Sequence, residues 1–383
     1  ARAGGGRMRV EFDPFVAPEG RRIPKATPMK NVLAILPGSD ADDDRVIIVS
    51  GHYDSRASDA MDATSFAPGA ADDASGTAVT MELARVMAGR QFPLTIIFAA
   101  VAAEEQGLLG SAHLAERAHR EGWNLIAMIT NDIVGNTHSS GTDIRNNRQM
   151  RVFSEGVPQK MLRDLVQADS LSTMRRAARA LSRYLATTGE NDSPSRQFAR
   201  YIKEVGERYV DQFRIELIYR RDRFLRGGDH TPFNRLGFRA VRLTEMNEFY
   251  PRQHQDVRHE NGTAFGDVAD AVDYGFVARV ARVNLATLAN LALAPSIPEN
   301  PGIVVSRLTN DTTLRWNKPA HGQVHGYYVL IRETNAPTWQ KKIFVSGVTE
   351  VTLPYSKDNF LFAVQAVGPE GFESLPVVPQ VVR

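Results

Sequence analysis

The 383 residues include no cysteine. This excludes a disulfide framework and any thiolate metal site, so a bound transition metal would be held by His, Asp and Glu. Net charge is nearly absent as well, since 46 Lys and Arg face 44 Asp and Glu for a balance of +2. So even a balance argues against a nucleic-acid partner. Internal repeats and low-complexity tracts are missing. No apolar run is long enough to span a bilayer. The longest helical apolar stretch, 285–293, is interrupted by Thr287 and Asn290 and reads as a buried helix. There is no initiating Met before the Gly-rich opening Gly4 to Gly6. A removed signal peptide, and a secreted or periplasmic bacterial setting, are therefore expected.

What is present suffices for two domains, because 43% of residues are hydrophobic and 23% charged. Residues 1–30 are polar and rich in Gly, Pro and Arg, and read as an arm. Runs at 31–36, 46–50, 94–101 and 125–130 read as strands, and the last three are apolar throughout, as strands covered on both faces are. Helical spacing follows at 76–87, with Ser75 as N-cap, and at 111–120. Strands alternating with helices imply an α/β fold with a mostly parallel central sheet flanked by helices. The Arg-rich region around 140–228 reads as a helical insert whose charge is a solvated face, with selection of substrates that carry acidic groups as the alternative. A helix over 268–293 closes a domain spanning 31–294. Residues 295–301 form a Pro-rich linker, and 302–383 alternate as short strands of a small all-β sandwich.

Chemistry-bearing residues cluster after the buried strands. His52 and Asp54 follow the first, Glu104 and Glu105 the second and Asp132 the third, while Asp72 and Asp73 precede the helix at 76. Ligands of open α/β sheets bind outside the carboxyl ends of the strands, so these residues can share one cleft. Zinc takes His and carboxylate ligands and keeps a position for water. Two zincs sharing a bridge need five ligands, and a further carboxylate must stay free to take a proton. The Glu104–Glu105 pair can supply one ligand and one base. Singly, each motif has a bland reading: a surface hydrogen bond for His-x-Asp, a solvated pair for Glu-Glu, a helix cap for Asp-Asp. Their order at successive strand ends favours the metal site.

His52-Tyr-Asp54, Gly69-Ala-Ala-Asp72-Asp73-Ala-Ser-Gly76, Glu104-Glu105-Gln-Gly-Leu-Leu-Gly-Ser111 and Asn131-Asp132 resemble the co-catalytic dizinc aminopeptidase family. Secreted bacterial aminopeptidases belong to it, with glutamate carboxypeptidase and glutaminyl cyclase as relatives. The motifs are separated by 20, 32 and 28 residues, from 52 to 72, 104 and 132. The resemblance implies two Zn2+ ions bridged by Asp72. His52 and Asp132 would complete one site, and Glu105 and a later His the other. It implies Glu104 as general base, Asp54 as the partner fixing the tautomer of His52, and a cis peptide between Asp72 and Asp73. His254, in Tyr250-Pro-Arg-Gln-His254-Gln-Asp256, is the expected last ligand, although the family's His-x-x-x-Asp spacing is absent; His259 competes. His230, in Asp229-His230-Thr-Pro-Phe233, and Tyr250 are expected to border the substrate. His113, His119, His138, His321 and His325 read as structural or exposed.

The implied activity is removal of N-terminal residues from peptide or protein substrates. Alternatives are a carboxypeptidase or other amidohydrolase on the same scaffold, or a non-catalytic binding protein. Trp316, Tyr327–Arg332 and 360–366 resemble a fibronectin type III module, with Phe360 at the tyrosine-corner position. Packing, substrate access and contact with polymers or a cell surface are the roles open to it.

Overall fold

The structure is a computed structural model and describes residues 5–187, 191–224, 226–306 and 308–382. Along the chain run β1 (Arg9–Ala17), β2 (Thr27–Leu36), β3 (Arg45–His52), α1 (Ser75–Met87), β4 (Thr95–Val101), α2 (Leu109–Arg120) and β5 (Asn124–Asn131). Next come β6 (Gln149–Ser154), α3 (Gln159–Val166), α4 (Leu171–Thr187), α5 (Pro194–Tyr209), β7 (Arg214–Ile218), α6 (His230–Leu236) and β8 (Ala240–Glu245). A short ladder of β9 (Arg258–Glu260) and β10 (Thr263–Phe265) precedes α7 (Tyr274–Leu293). The remaining strands are β11 (Glu299–Val304), β12 (Thr312–Asn317), β13 (Gly326–Glu333), β14 (Lys341–Val345), β15 (Glu350–Leu353), β16 (Phe360–Val367) and β17 (Gln380–Val382).

Two compact units result, 1–155 with 202–286, and 156–201 with 287–383. Of the three internal boundaries, one follows β6 and two fall inside helices, α5 and α7. Sequence patterning expects all of 31–294 to form one domain. The stretch 156–201 instead groups with the C-terminal strands.

The first unit is built on an eight-stranded sheet of order β1-β2-β4-β3-β5-β8-β6-β7. The pairs β4/β3, β3/β5, β5/β8 and β6/β7 are parallel and the other three antiparallel, so the sheet is mixed α/β with a parallel centre. The apolar runs expected to be covered on both faces occupy that centre. Ile47, Ile48, Val49, Ile96, Ile97, Phe98, Ala127, Met128 and Ile129 are all buried. Each large side chain of this kind contributes about 1.5–3 kcal/mol on burial. The middle of the sheet thus anchors the unit and leaves the strand ends free to carry polar groups.

Three local differences from the sequence reading have physical causes. The expected arm contains β1, which pairs with β2 along the sheet's edge. Pro14 is tolerated there because an edge strand needs only half of its ladder bonds. Inside the expected helical insert lies β6, where buried Met150 and Val152 alternate with Arg151. The pattern is only six residues long, too short to stand out from its helical surroundings. Ser75 is the first residue of α1 rather than its cap, and its hydroxyl donates back to the carbonyl of Ala71 at 2.7 Å. The cap position falls on Ala74, and Asp73 before it accepts the N–H of Gly76 at 3.0 Å.

By length and composition α7 could cross a membrane, with a mean hydropathy of 1.3, which the interrupted sequence pattern does not suggest. Half of that window is buried. Phe276, Val280 and Val283 lie in the interior, and Asn284 donates to Asn131 at 2.8 Å.

In the second unit, sheets β15-β12-β11-β17 and β14-β13-β16 enclose a core of Leu314, Trp316, Tyr327, Val329, Ile331 and Phe362. Strand β11 begins inside the expected linker and pairs in parallel with β17. Buried Asp192, just before α5, meets Arg332 of β13 at 2.8 Å and Arg200 of α5 at 3.0 Å. Tyr201 donates to the carbonyl of Glu373 at 3.0 Å. These bonds tie the helical stretch to the strands.

Candidate metal centre

His52 ends β3, Glu104 and Glu105 follow β4, and Asp132 follows β5. Asp72 comes from the turn before α1, and His254 from the loop after β8. The parallel register carries all of these segments to the same edge of the sheet. There Nε2 of His52 lies 3.2 Å from Oδ1 of Asp72 and 3.9 Å from Oδ1 of Asp132. Nε2 of His254 lies 3.2 Å from Oδ2 of Asp72 and 3.0 Å from Oε1 of Glu105. Two three-donor groups result, His52–Asp72–Asp132 and Asp72–Glu105–His254, each with its donor atoms within 4.8 Å of one another. Asp72 belongs to both. Glu104 lines the same cavity and belongs to neither.

Close packing and a set of carboxylates hold these loops. A Cβ on Gly76 would lie 2.2 Å from the carbonyl of Asn131, and one on Gly51 would lie 2.4 Å from the Gly76 backbone. The start of α1 can sit against β3 and β5 only without those side chains. Asp73 accepts the N–H groups of His52 at 3.0 Å and Ile133 at 3.2 Å in addition to that of Gly76. One carboxylate therefore fixes the ends of β3 and β5 relative to α1. Asp267 accepts from Ala71 and Asp72, both at 2.7 Å. The peptide between Asp72 and Asp73 is cis.

Asp54 is the partner of His52, as the resemblance implies, but through its main chain. The close partner of Nδ1 of His52 is the backbone carbonyl of Asp54 at 3.0 Å, while its carboxylate is 3.6 Å away. That carboxylate accepts the backbone N–H groups of Glu104 at 3.2 Å and Glu105 at 3.1 Å. Two flat acceptor oxygens suit two successive N–H groups better than they suit one imidazole. Asp54 thus fixes the imidazole through its main chain and the Glu104–Glu105 corner through its side chain.

Arg242 on β8 is fully buried and reaches Asp132 at 3.0 Å and Asp222 at 3.2 Å. Sequence reasoning missed Arg242 and Asp267, since an isolated Arg in a strand and an isolated Asp in a loop carry no motif. Asp73 was visible as half of a doublet, but its anchoring role was not.

Charge and burial compete throughout the site. Burial disfavours charge on His52, but its contacts with Asp54 and Asp72 outweigh this and raise its pKa well above the ordinary value. Burial likewise opposes charge on His254, yet Asp72 and Glu105 lift it to about 9. Burial raises Glu104 well above the usual carboxylate range; His52 opposes this, and Asp132 and Asp229 reinforce it. Next to His230, Asp229 is pushed up to about 7 by burial.

Two of the expected residues lie elsewhere. His230 is fully buried, with Nε2 2.8 Å from the carbonyl of Arg221, and it does not line the cavity. Its place at the start of α6 turns it into the interior. Tyr250 is 60% exposed and is also not part of the cavity wall. His259 sits exposed on β9.

The donor atoms fit a metal. Nε2 of His52 and Oδ2 of Asp132 are buried without a hydrogen bond, an arrangement costly unless an electrophile occupies the gap. Imidazole and carboxylate groups without sulfur suit zinc among the transition metals. Residues 31–276 match the model of peptidase family M28. The chain belongs to that family. A probable zinc metalloprotease of Leptosphaeria maculans is 45% identical over 377 residues, covering 98% of this chain and 83% of the relative. Another from Pyricularia oryzae is 43% identical, covering 99% and 73%. The LapA aminopeptidase structure of Legionella pneumophila resembles this M28 chain with a TM-score of 0.48 at 18% identity, covering 76% of this chain and 60% of LapA.

Proposed function

We propose that this M28 chain is a zinc-dependent metallopeptidase and, more finely, a two-zinc exopeptidase that removes N-terminal residues from peptides. One observation carries the reading: Asp72 is shared by two three-donor groups, and Glu104 stands beside them as a carboxylate outside both. His52, Asp72 and Asp132 would hold one zinc, and Asp72, Glu105 and His254 the other. Zinc bound there would supply Lewis acidity and lower the pKa of water.

The chain's own residues do the rest. Glu104 accepts the proton of the attacking water and returns it to the leaving nitrogen. The Asp54 carbonyl keeps a proton on Nδ1 of His52, which leaves Nε2 as a donor of electron pairs. The Asp54 carboxylate holds the backbone of Glu104, so the base keeps its position as its proton comes and goes. Substrate carbonyl and base then meet in a fixed geometry, which removes much of the entropic cost of reaction.

The test is zinc content measured together with hydrolysis of aminoacyl-anilides and N-blocked peptides, before and after chelation. About two zincs per chain, as five shared ligands require, with chelator-sensitive cleavage of free N-termini alone, is expected. One zinc, or cleavage of blocked peptides, overturns the finer reading.

A further inference from the structure

The metal centre opens into a cavity of about 390 Å³ whose wall carries four guanidinium groups, Arg22, Arg56, Arg223 and Arg226. We propose that this wall binds a carboxylate of the substrate within one or two residues of the scissile bond. The proposal rests on the exopeptidase reading and adds the chemistry that selects the substrate.

Two of the four arginines make no ion pair among the described residues, and the other two share the carboxylates they reach. Arg22 donates to the carbonyl of Glu105 at 2.5 Å, and Arg56 to the carbonyls of Ala57 at 3.2 Å and Ser58 at 3.1 Å. Among the described residues neither makes an ion pair. Arg223 and Arg226 share Glu248 at 3.3 and 2.7 Å, and Arg151 also reaches Glu248 at 3.2 Å. Arg223 has Asp222 at 3.2 Å as well, but Arg242 already holds that carboxylate. Asp72, Glu104, Glu105 and Asp132 line the same cavity; apart from these carboxylates of the metal centre, the arginines of the wall outnumber the acids they pair with, in a chain whose overall charge is only +2. All four are partly buried. Partly buried cations lose hydration, and an anionic ligand would offset that loss with charge-assisted hydrogen bonds.

Guanidinium groups bind carboxylates through paired, charge-assisted hydrogen bonds. The volume is at the lower end of small-ligand pockets, which suits a peptide end and not a long chain. The substrate carboxylate has two sources, an acidic side chain on the N-terminal residues or the C-terminus of a short peptide. In either case a free ammonium would face the carboxylates of the metal centre, and the substrate's negative charge would face the arginines.

The test compares Glu-Ala-Ala-amide with Gln-Ala-Ala-amide, and Ala-Leu with Ala-Leu-amide. Dissociation constants are measured by calorimetry on zinc-loaded E104Q, and turnover on the wild-type enzyme. The charged member of at least one pair should bind roughly 10- to 100-fold more tightly, the range for hydrogen bonds to charged groups. A preference in the first pair identifies the side chain, and in the second the C-terminus. R56Q and R226Q, each combined with E104Q, should shrink the ratio, and added salt should shrink it too. Equal binding within both pairs overturns the proposal, as does a preference that neither arginine variant alters. Binding without turnover of any peptide would instead sink the exopeptidase reading, and the carboxylate site would be decided by the dissociation constants alone.

Discussion

Asp267 and Asp72 are 195 residues apart in sequence, yet the Asp267 carboxylate accepts the backbone N–H of Asp72 at 2.7 Å. The residue shared by both donor groups is therefore held by the loop that precedes α7. D267A should loosen that turn and weaken zinc binding about 10- to 100-fold, the usual effect of losing a residue that orients ligands. D267N keeps one acceptor oxygen and should fall between. Competition with a chromophoric chelator measures this, and wild-type affinity in D267A would count against the anchoring role.

Glu104 is the carboxylate outside both donor groups. E104Q should lower kcat by about 10²- to 10⁴-fold, the contribution of a positioned acid–base group, while zinc stoichiometry stays as in the wild type. Loss of metal with the activity would mean that Glu104 is a ligand.

Glu248 gives acid-dependent stability. Burial pushes its pKa up, but Arg223, Arg226, Arg242 and Arg151 outweigh this and hold it at about 2, below the ordinary 4.5. A depressed carboxylate stabilises the fold above its unfolded pKa, and the contribution fades as pH falls through the folded pKa. The shift corresponds to about 3 kcal/mol at most. E248Q should therefore be less stable than wild type near pH 6, with the gap closing between about pH 4.5 and pH 2. Tm measured across that range checks it, and a gap that is constant with pH refutes it.

Asp192 joins α5 to β13 in the second unit through Arg332 and Arg200, all three nearly inaccessible. D192A would leave two buried guanidinium groups without their shared carboxylate, and should cost about 3–5 kcal/mol. Denaturant unfolding reads this directly; a loss below about 1 kcal/mol would place the pair among interactions of little net worth.

Local sequence carried much of the metal centre. His52, Glu104, Glu105 and Asp132 each follow an unbroken apolar run, and a parallel sheet brings such ends together whatever separates them in the chain. His254 was legible only as the nearest His after β8, because its spacing departs from the family pattern. His230 and Tyr250 were expected to border the substrate, yet one is turned into the interior and the other into solvent. Side-chain direction at a helix start or in a loop has no periodic signature.

By itself, then, the sequence determined the α/β centre of the first unit, the class of metal ligands and the edge of the sheet where they gather. Hydrophobic periodicity and residue chemistry are local properties that survive in a one-dimensional string. The tertiary structure alone decided that Asp54 holds the Glu104–Glu105 backbone, that Asp267 and Asp73 anchor the ligand loops, that 156–201 groups with the C-terminal strands, and that four arginines from distant segments wall one cavity. These are pairings between groups far apart in the chain, fixed by which surfaces the folded sheet brings within hydrogen-bond reach.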